Sequence, residues 1–246
     1  MRSRSTMTCP TAAVLLWMVC TGVTCGHTGQ EFVEFDLRTR GTDNATFEAG
    51  AWTVTLTRAE VALGPIYFCA TSAADAELCP SAVAEFVEVA PINGIEGSPD
   101  DAGRVFGVTG TVGSVTLDYG LPWLLTTDGP VPQEGAPGGH SAQFEGTASR
   151  DGATFLFAMD VDVTAANRGD IALPGIRTDH VIDTRTEAVT FSIDPTAWWA
   201  NVDFEVVYAD IEDPAVPIVL DEESTAYGTV ILGMTTGKVP SLEWTP

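Results

Sequence analysis

The sequence predicts an all-β fold, an antiparallel β-sandwich with one long Pro/Gly-rich loop and at most a short helical turn. Three observations support this class. Apolar and polar residues alternate over many short segments, turn-forming residues separate these segments, and no segment longer than about ten residues keeps the 3.6-residue period of a helix. With 246 residues, 45% of them hydrophobic, the chain is long enough to bury a core of this kind.

The predicted strands follow one another along the chain. The first, EFVEFDLRTR at 31–40, alternates strictly, with Val33, Phe35 and Leu37 on one face. The others are rich in Val, Thr and Phe and are bounded by Gly, Pro, Asn or Asp. They lie at 51–63, 104–120, 153–165, 187–194, 202–210 and 226–236. The segment SRDG, at 149–152, separates two strand patterns and predicts a hairpin turn.

Two segments interrupt the strand pattern. The stretch from Trp123 to His140 is rich in Pro and Gly and predicts a long loop, the kind of element in which β scaffolds often carry binding residues. In DPTAWW, Asp194 is a typical N-cap and Pro195 a typical first helical residue, so one helical turn is expected there.

The N-terminus predicts export. Arg2 and Arg4 precede an apolar run at 12–23 that is too short for a comfortable membrane span, and small residues with Cys25 follow. We expect a signal peptide over residues 1–25 and a single β-sandwich domain over 26–246. Cys25 is unpaired in the mature chain, and its place directly after the apolar run favours acylation as a lipoprotein, although the preceding residues match a lipobox poorly. The expected location is the periplasm, the outer membrane or the cell surface.

The other cysteines predict a disulfide. Cys69 and Cys79 flank a short loop in a chain expected to fold in an oxidising compartment, and their spacing suits the tie of a hairpin better than a zinc site.

Charge limits the range of partners. The chain has 34 acidic and 11 basic residues, for a net charge of −23. Such a surface repels nucleic acid and anionic membranes, so membrane contact is expected only through an N-terminal lipid. A metal ion or another envelope protein remains as the expected partner. General acidic solvation explains the charge better than a specific role for cations does.

Histidine is scarce, which directs attention to His140 at the end of the long loop. An imidazole beside a carboxylate, a tyrosine or a second imidazole can hold copper or zinc, and the candidate partners are Asp118, Tyr119 and His180. The alternative is a loop histidine bonded to a backbone carbonyl. Asp160 and Asp162 are two residues apart, so they share one face of a predicted strand; they are either Ca²⁺ ligands or an exposed polar face.

Three segments resemble the secreted copper-binding MbnP group, the periplasmic partners of a di-haem protein. They are FEAGAWTVTLTRAEVALG at 47–64, GHSAQFEG at 139–146 and AVTFSIDPTAWWANVDF at 188–204, which together cover less than half of the mature chain. The resemblance implies a β-sandwich and an exported copper-handling protein, with His140 as the matched ligand and an oxidisable tryptophan nearby. A second ligand histidine has no clear match, and His180 is the candidate for it.

The sequence therefore favours a non-enzymatic, exported and lipid-anchored binding module that holds copper through His140. Two alternatives stay open. One is a structural or adhesive envelope protein whose loops bind a protein or glycan, and the other, less favoured, is a hydrolase that uses paired carboxylates.

Overall fold

In the computed structural model, which describes residues 29–72, 79, 81–211 and 213–246, the chain forms two β-sheets. The predicted all-β class is confirmed. The strands are β1 Phe32–Arg40, β2 Thr46–Ala49, β3 Trp52–Leu63, β4 Ile66–Cys69, β5 Ala82–Phe86, β6 Ala90–Asn93, β7 Asp100–Val108, β8 Gly110–Leu117, β9 Ala142–Arg150, β10 Ala153–Val161, β11 Leu173–Ile182, β12 Ala188–Ser192, β13 Ile218–Val219 and β14 Ser241–Thr245.

The first sheet has eight strands in the order β11-β8-β4-β5-β7-β1-β12-β14, and the second has β13-β10-β9-β3-β2 with β6 also paired to β3. Most neighbours are antiparallel, as predicted. Two pairs are parallel, β1 with β12 and β10 with β13, and neither pair is a hairpin, whose two arms are always antiparallel.

The two edge strands of the eight-stranded sheet meet through side chains. His180 of β11 stacks on Trp244 of β14, with ring centroids 4.1 Å apart and planes 7° from parallel. The Trp244 indole N–H also donates to the Thr178 hydroxyl at 3.4 Å. These contacts bring the sheet close to closing on itself as a barrel.

Inward-facing side chains of both sheets and of the helices form a common apolar core. Large aromatic rings fill much of it: Trp52 packs edge-on against Phe155, and Phe144 against Trp199, with centroids 5.2 and 5.5 Å apart. Edge-to-face rings add to the free energy gained by burying apolar area. The predicted disulfide between Cys69 and Cys79 is present, and it ties the end of β4 to the chain entering β5.

The structure contains more helix than the sequence predicts. The expected turn is a short helix, α1 Pro195–Trp199. The strand predictions for 202–210 and 226–236 are wrong: these segments contain α2 Phe204–Ala209 and α3 Thr225–Leu232, which a π-helical turn at Gly233–Gly237 extends. Both helices begin at a side-chain cap, since Asp203 accepts from the Glu205 N–H and Ser224 from the Tyr227 N–H.

The predicted signal peptide and the predicted acylation site, Cys25, lie outside the described residues. Within the described ranges, none of the helices has both the length and the apolar character needed to cross a membrane.

Candidate metal-binding site

A β-hairpin positions the candidate site. β9 and β10 pair from the turn at Asp151 and Gly152 to Ala142 opposite Val161. Both turn residues have positive φ, 46° and 81°, as a type I′ hairpin turn requires. The hairpin thereby places the residues that precede β9 beside those that follow β10.

His140 lies just before β9 and against the end of β10. A 3-10 turn at Pro137–Gly139 leads into it, and the His140 N–H donates to the Pro137 carbonyl at 3.0 Å. Its Nδ1 lies 2.9 Å from Asp162 Oδ1, and its Nε2 lies 3.8 Å from Asp160 Oδ2. These three side chains, the His140 cluster, are 34% (His140), 53% (Asp160) and 37% (Asp162) exposed, so solvent and ions reach all of them.

The contact with Asp162 sets the tautomer of the imidazole. A carboxylate only accepts hydrogen bonds, so the bond at 2.9 Å places a proton on Nδ1 of His140. In the neutral ring, the lone pair is then on Nε2, the nitrogen that faces Asp160. Histidines that bind metals are commonly held in this way by a carboxylate on the other ring nitrogen.

A second set of contacts orients Asp160. Arg58 donates to Gln143 Oε1 at 2.7 Å, and the Gln143 amide nitrogen donates to Asp160 Oδ1 at 2.8 Å. Because arginine has no acceptor, Gln143 must present its oxygen to Arg58 and its NH₂ group to Asp160. Glu60 and Glu145 hold Arg58 from two sides, at 2.6 and 3.3 Å. Asp160 Oδ2 is left free to face His140.

The backbone at the end of β10 is also held in place. The Asp162 N–H donates to the Tyr227 hydroxyl at 3.0 Å, and the Val163 N–H donates to the buried Ser141 hydroxyl at 3.0 Å. The carboxylates of the cluster therefore stand on a well-bonded segment, although their side chains are exposed.

Asp118 and Tyr119, two of the predicted partners of His140, are core residues with other contacts. Asp118 is 2% exposed and accepts a hydrogen bond from the Ala172 N–H at 2.9 Å. Burial raises its pKa to about 6, and the hydrogen bond opposes part of that rise. The buried Tyr119 hydroxyl donates to the Met234 carbonyl at 3.0 Å, and burial raises the Tyr119 pKa.

His180 belongs to the meeting point of β11 and β14. Its ring stacks on Trp244, and its buried Nε2 has no hydrogen-bond partner among the residues that the structure describes. Burial lowers the pKa of His180, and the nearby Asp183 carboxylate opposes this shift. Of the four predicted ligands, only His140 lies in the cluster.

The sulfur and indole groups suited to copper chemistry do not lie at the cluster either. Met159 and Met234 are 1% and 0% exposed and pack in the core. In the part of the chain that the structure describes, no tryptophan ring stacks on His140, and the described ring contacts of Trp198 and Trp199 are with core phenylalanines.

Among the described residues, no three His, Cys, Asp or Glu side chains are placed to hold one metal ion. The cluster offers two donors instead. A nitrogen and an oxygen 3.8 Å apart need to approach by a few tenths of an ångström to share one ion, since bonds of about 2.0–2.2 Å at a tetrahedral angle place two donors roughly 3.3–3.6 Å apart. The remaining positions of such an ion would be open to water or to another molecule.

Among solved structures, MbnP from Methylosinus trichosporium is similar to this chain. The likeness covers 88% of this chain and 99% of that one, with 13% identity and a TM-score of 0.44. The partial resemblance to the MbnP group that the sequence predicts is thus found in the structure as well. No family model and no curated protein matches the chain. The functional assignment therefore rests on the side chains of the His140 cluster.

Asp160 and Asp162 are the residues whose place beside His140 the sequence did not predict. The signal that identifies Asp160 is the Asp-Gly pair at 151–152, because a two-residue turn determines the register of the hairpin. Counting outward from this turn places Gln143 opposite Asp160, as observed. No comparable local pattern predicts that the end of the long loop, with His140, packs against Asp162.

Proposed function

We propose that the protein is an exported metal-binding module that prefers Cu(II), with His140 Nε2 and Asp160 Oδ2 as its protein donors. The observation that supports this most directly is the free Nε2 of His140, which faces Asp160 Oδ2 at 3.8 Å while Asp162 holds Nδ1. Asp162 then orients the ligand and increases its basicity. Gln143 orients the second ligand in the same manner.

The donor atoms favour Cu(II) over other ions. Mixed nitrogen and oxygen sites bind divalent metals of the first transition row in an order that peaks at Cu(II). Cu(I) prefers thioethers and thiolates, and Met159 and Met234 are buried away from solvent. The net charge of −23 raises the local concentration of every cation, so selectivity has to come from the imidazole.

Binding fits the cluster better than catalysis does. Both ring nitrogens of His140 face carboxylate oxygens rather than the hydroxyl or thiol of a nucleophile. We therefore propose a non-enzymatic role. Export is part of the same proposal, supported by the N-terminal sequence and by the Cys69–Cys79 disulfide, a bond typical of oxidising compartments. Acylation at Cys25 would keep the module at the envelope, where another envelope protein could exchange the ion with it.

Copper titration of the mature protein tests the proposal. We expect one Cu(II) per chain, with nitrogen superhyperfine coupling in its electron paramagnetic resonance spectrum. His140→Ala should remove this coupling and the stoichiometric binding, and Asp160→Asn should weaken binding by about 10-fold or more. His180→Ala is the matched control and should leave both unchanged.

Retention of nitrogen-coupled copper by His140→Ala would overturn the proposal. Equal losses in the His140 and His180 variants would do the same, since a general effect on the fold would then explain both.

One observation favours a second function, protein binding by the long loop. Leu124, Leu125 and Val131 are exposed there, Leu125 by 75%, whereas Trp123 is only partly exposed. Aliphatic side chains suit a protein partner better than a glycan, which usually stacks on aromatic rings. If the second function is correct, the His140→Ala variant should capture envelope proteins as well as the wild type does. The Leu124→Ser/Leu125→Ser variant should no longer capture them.

A further inference from the structure

An apolar groove lies beside β13, the end strand of the second sheet. We call it the edge groove; it encloses about 340 Å³ between β13, α2 and the start of α3. None of its lining residues belongs to the His140 cluster. Its lining includes Val206, Val207, Asp210, Val219, Asp221 and Glu223.

Two apolar side chains of the groove are open to solvent, whereas Val207 and Leu220 in its lining are buried. Val219 is 71% exposed and Val206 45%, and they come from two different elements, β13 and α2. Single exposed aliphatic residues are common, but here two lie in one concave surface beside a sheet edge.

Within the described part of the chain, β13 pairs on one side. β13 is the last strand of its sheet and runs parallel to β10, with the Leu220 N–H donating to the Ala158 carbonyl at 2.9 Å. Backbone groups of successive strand residues alternate in direction, so those of Val219 turn toward the free edge. β13 is only two residues long, so it offers a further strand the N–H and C=O of a single residue, Val219.

The negative charges at the groove favour a positively charged binding partner. Asp210, Asp221 and Glu223 line it, and its described lining residues include no Lys or Arg. A second copy of the chain would bring the same carboxylates and a net charge of −23, so self-pairing is unfavourable. An extended segment with basic residues is the complementary partner.

We propose that the edge groove binds a segment of a partner protein in which apolar residues alternate with Lys or Arg. The segment adds to β13 as an extra strand. Its apolar side chains contact Val206 and Val219, and its basic side chains face the rim carboxylates. This site is independent of the proposed metal site, and each can fail without the other.

The probe is the fluorescent peptide acetyl-Lys-Val-Lys-Val-Lys-Val-amide, titrated with mature protein and followed by fluorescence polarisation at about 100 mM NaCl, where long-range charge effects are screened. We expect saturable binding to the wild type. Val206→Ser/Val219→Ser should weaken it by about tenfold, since the apolar contacts at the centre of an interface contribute most of its affinity. Both side chains are exposed, so these changes should leave the circular dichroism spectrum unaltered.

A pair of matched charge variants separates the groove from the general acidity of the protein. Asp221→Asn/Glu223→Gln removes two charges at the rim, and Asp100→Asn/Asp101→Asn removes two exposed charges on β7 in the other sheet. Weakening by the rim pair alone supports the proposal, and equal weakening by both pairs would overturn it. An isomeric peptide, acetyl-Lys-Lys-Lys-Val-Val-Val-amide, should bind less tightly; equal affinity would exclude strand addition.

Light scattering after gel filtration tests whether a second copy of the chain fills the groove instead. A monomeric wild type supports the proposal. A dimer that Val206→Ser/Val219→Ser dissociates would show that a second copy fills the groove, and the proposal would then be wrong.

Discussion

Asp118 shows why an acidic residue near a loop need not be a ligand. Its carboxyl group is almost fully buried and receives a single described hydrogen bond, from the Ala172 N–H. Desolvation disfavours the charged form and raises the pKa from 3.8 to about 6. The group is therefore a source of pH-dependent stability rather than a site for cations.

The sign of that dependence follows from linkage. The folded state binds the Asp118 proton more tightly than the unfolded state, so this residue lowers the free energy of unfolding as pH rises from about 4 to 6. Asp118→Asn removes this contribution and keeps an acceptor for the Ala172 N–H. Relative to wild type, the variant should gain about 1–3 kcal/mol between pH 4 and pH 7.5.

Urea unfolding at the two pH values measures this gain. Any constant effect of the new amide is the same at both pH values, so only the change with pH is diagnostic. A difference between variant and wild type that stays constant from pH 4 to pH 7.5 would contradict the assignment.

At the scale of elements, the β9–β10 hairpin matters most, because it brings Asp160 and Asp162 to His140. Its turn depends on positive φ at Asp151 and Gly152. A change in this turn would shift the register by which Gln143 faces Asp160 and would disturb the candidate site from a distance.

Two glycines provide a matched test of this turn. A Cβ at Gly152 or at Gly228 would meet nothing within 4 Å. The effects of Gly→Ala at the two positions should therefore differ only because the backbone conformations of the two residues differ. Gly152 has φ +81°, whereas Gly228 lies inside α3. Gly152→Ala should destabilise the protein by about 1 kcal/mol, and Gly228→Ala should stabilise it by about 0.5–1 kcal/mol.

Thermal unfolding of both variants checks these signs. Copper titration of Gly152→Ala adds a second readout, since a shifted register should weaken binding as well. Equal stability changes in the two variants would mean that the turn conformation does not limit the hairpin.

At the scale of the whole molecule, charge opposes folding. The net charge of −23 is spread over a chain of 246 residues, and the salt bridges within the described part are mostly exposed pairs of small individual value. Mutual repulsion of carboxylates is strongest in the compact state.

Salt should therefore stabilise the protein. Raising NaCl from about 10 mM to about 500 mM should increase the Tm by roughly 5 °C at pH 7.5, because the Debye length falls well below the spacing of distant charges. The same change at pH 4.5 is the control and should have a smaller effect, since roughly a third of carboxylates with ordinary pKa values near 4 are then protonated and the net charge is smaller. An equal rise at both pH values would point to a general salt effect on apolar burial instead.

What the sequence by itself determined is local. The alternation in β1 and β3, the Asp-Gly turn of the β9–β10 hairpin, the start of α1 at Pro195 and the Cys69–Cys79 bond all follow from residues close together in the chain. Each of these features depends on side-chain period, turn conformation or short loop closure, which a sequence displays directly.

The tertiary structure decided the rest. The segments α2 and α3 have a strand-like composition but form helices, which Asp203 and Ser224 cap. Their buried residues recur at helical spacing: Phe204 and Val207 in α2, and Tyr227 and Val230 in α3. The partners of His140 and the stacking of His180 on Trp244 depend on where a long loop and two sheet edges come to lie. Contacts between residues far apart in sequence arise from the packing of whole elements, and no local pattern encodes them.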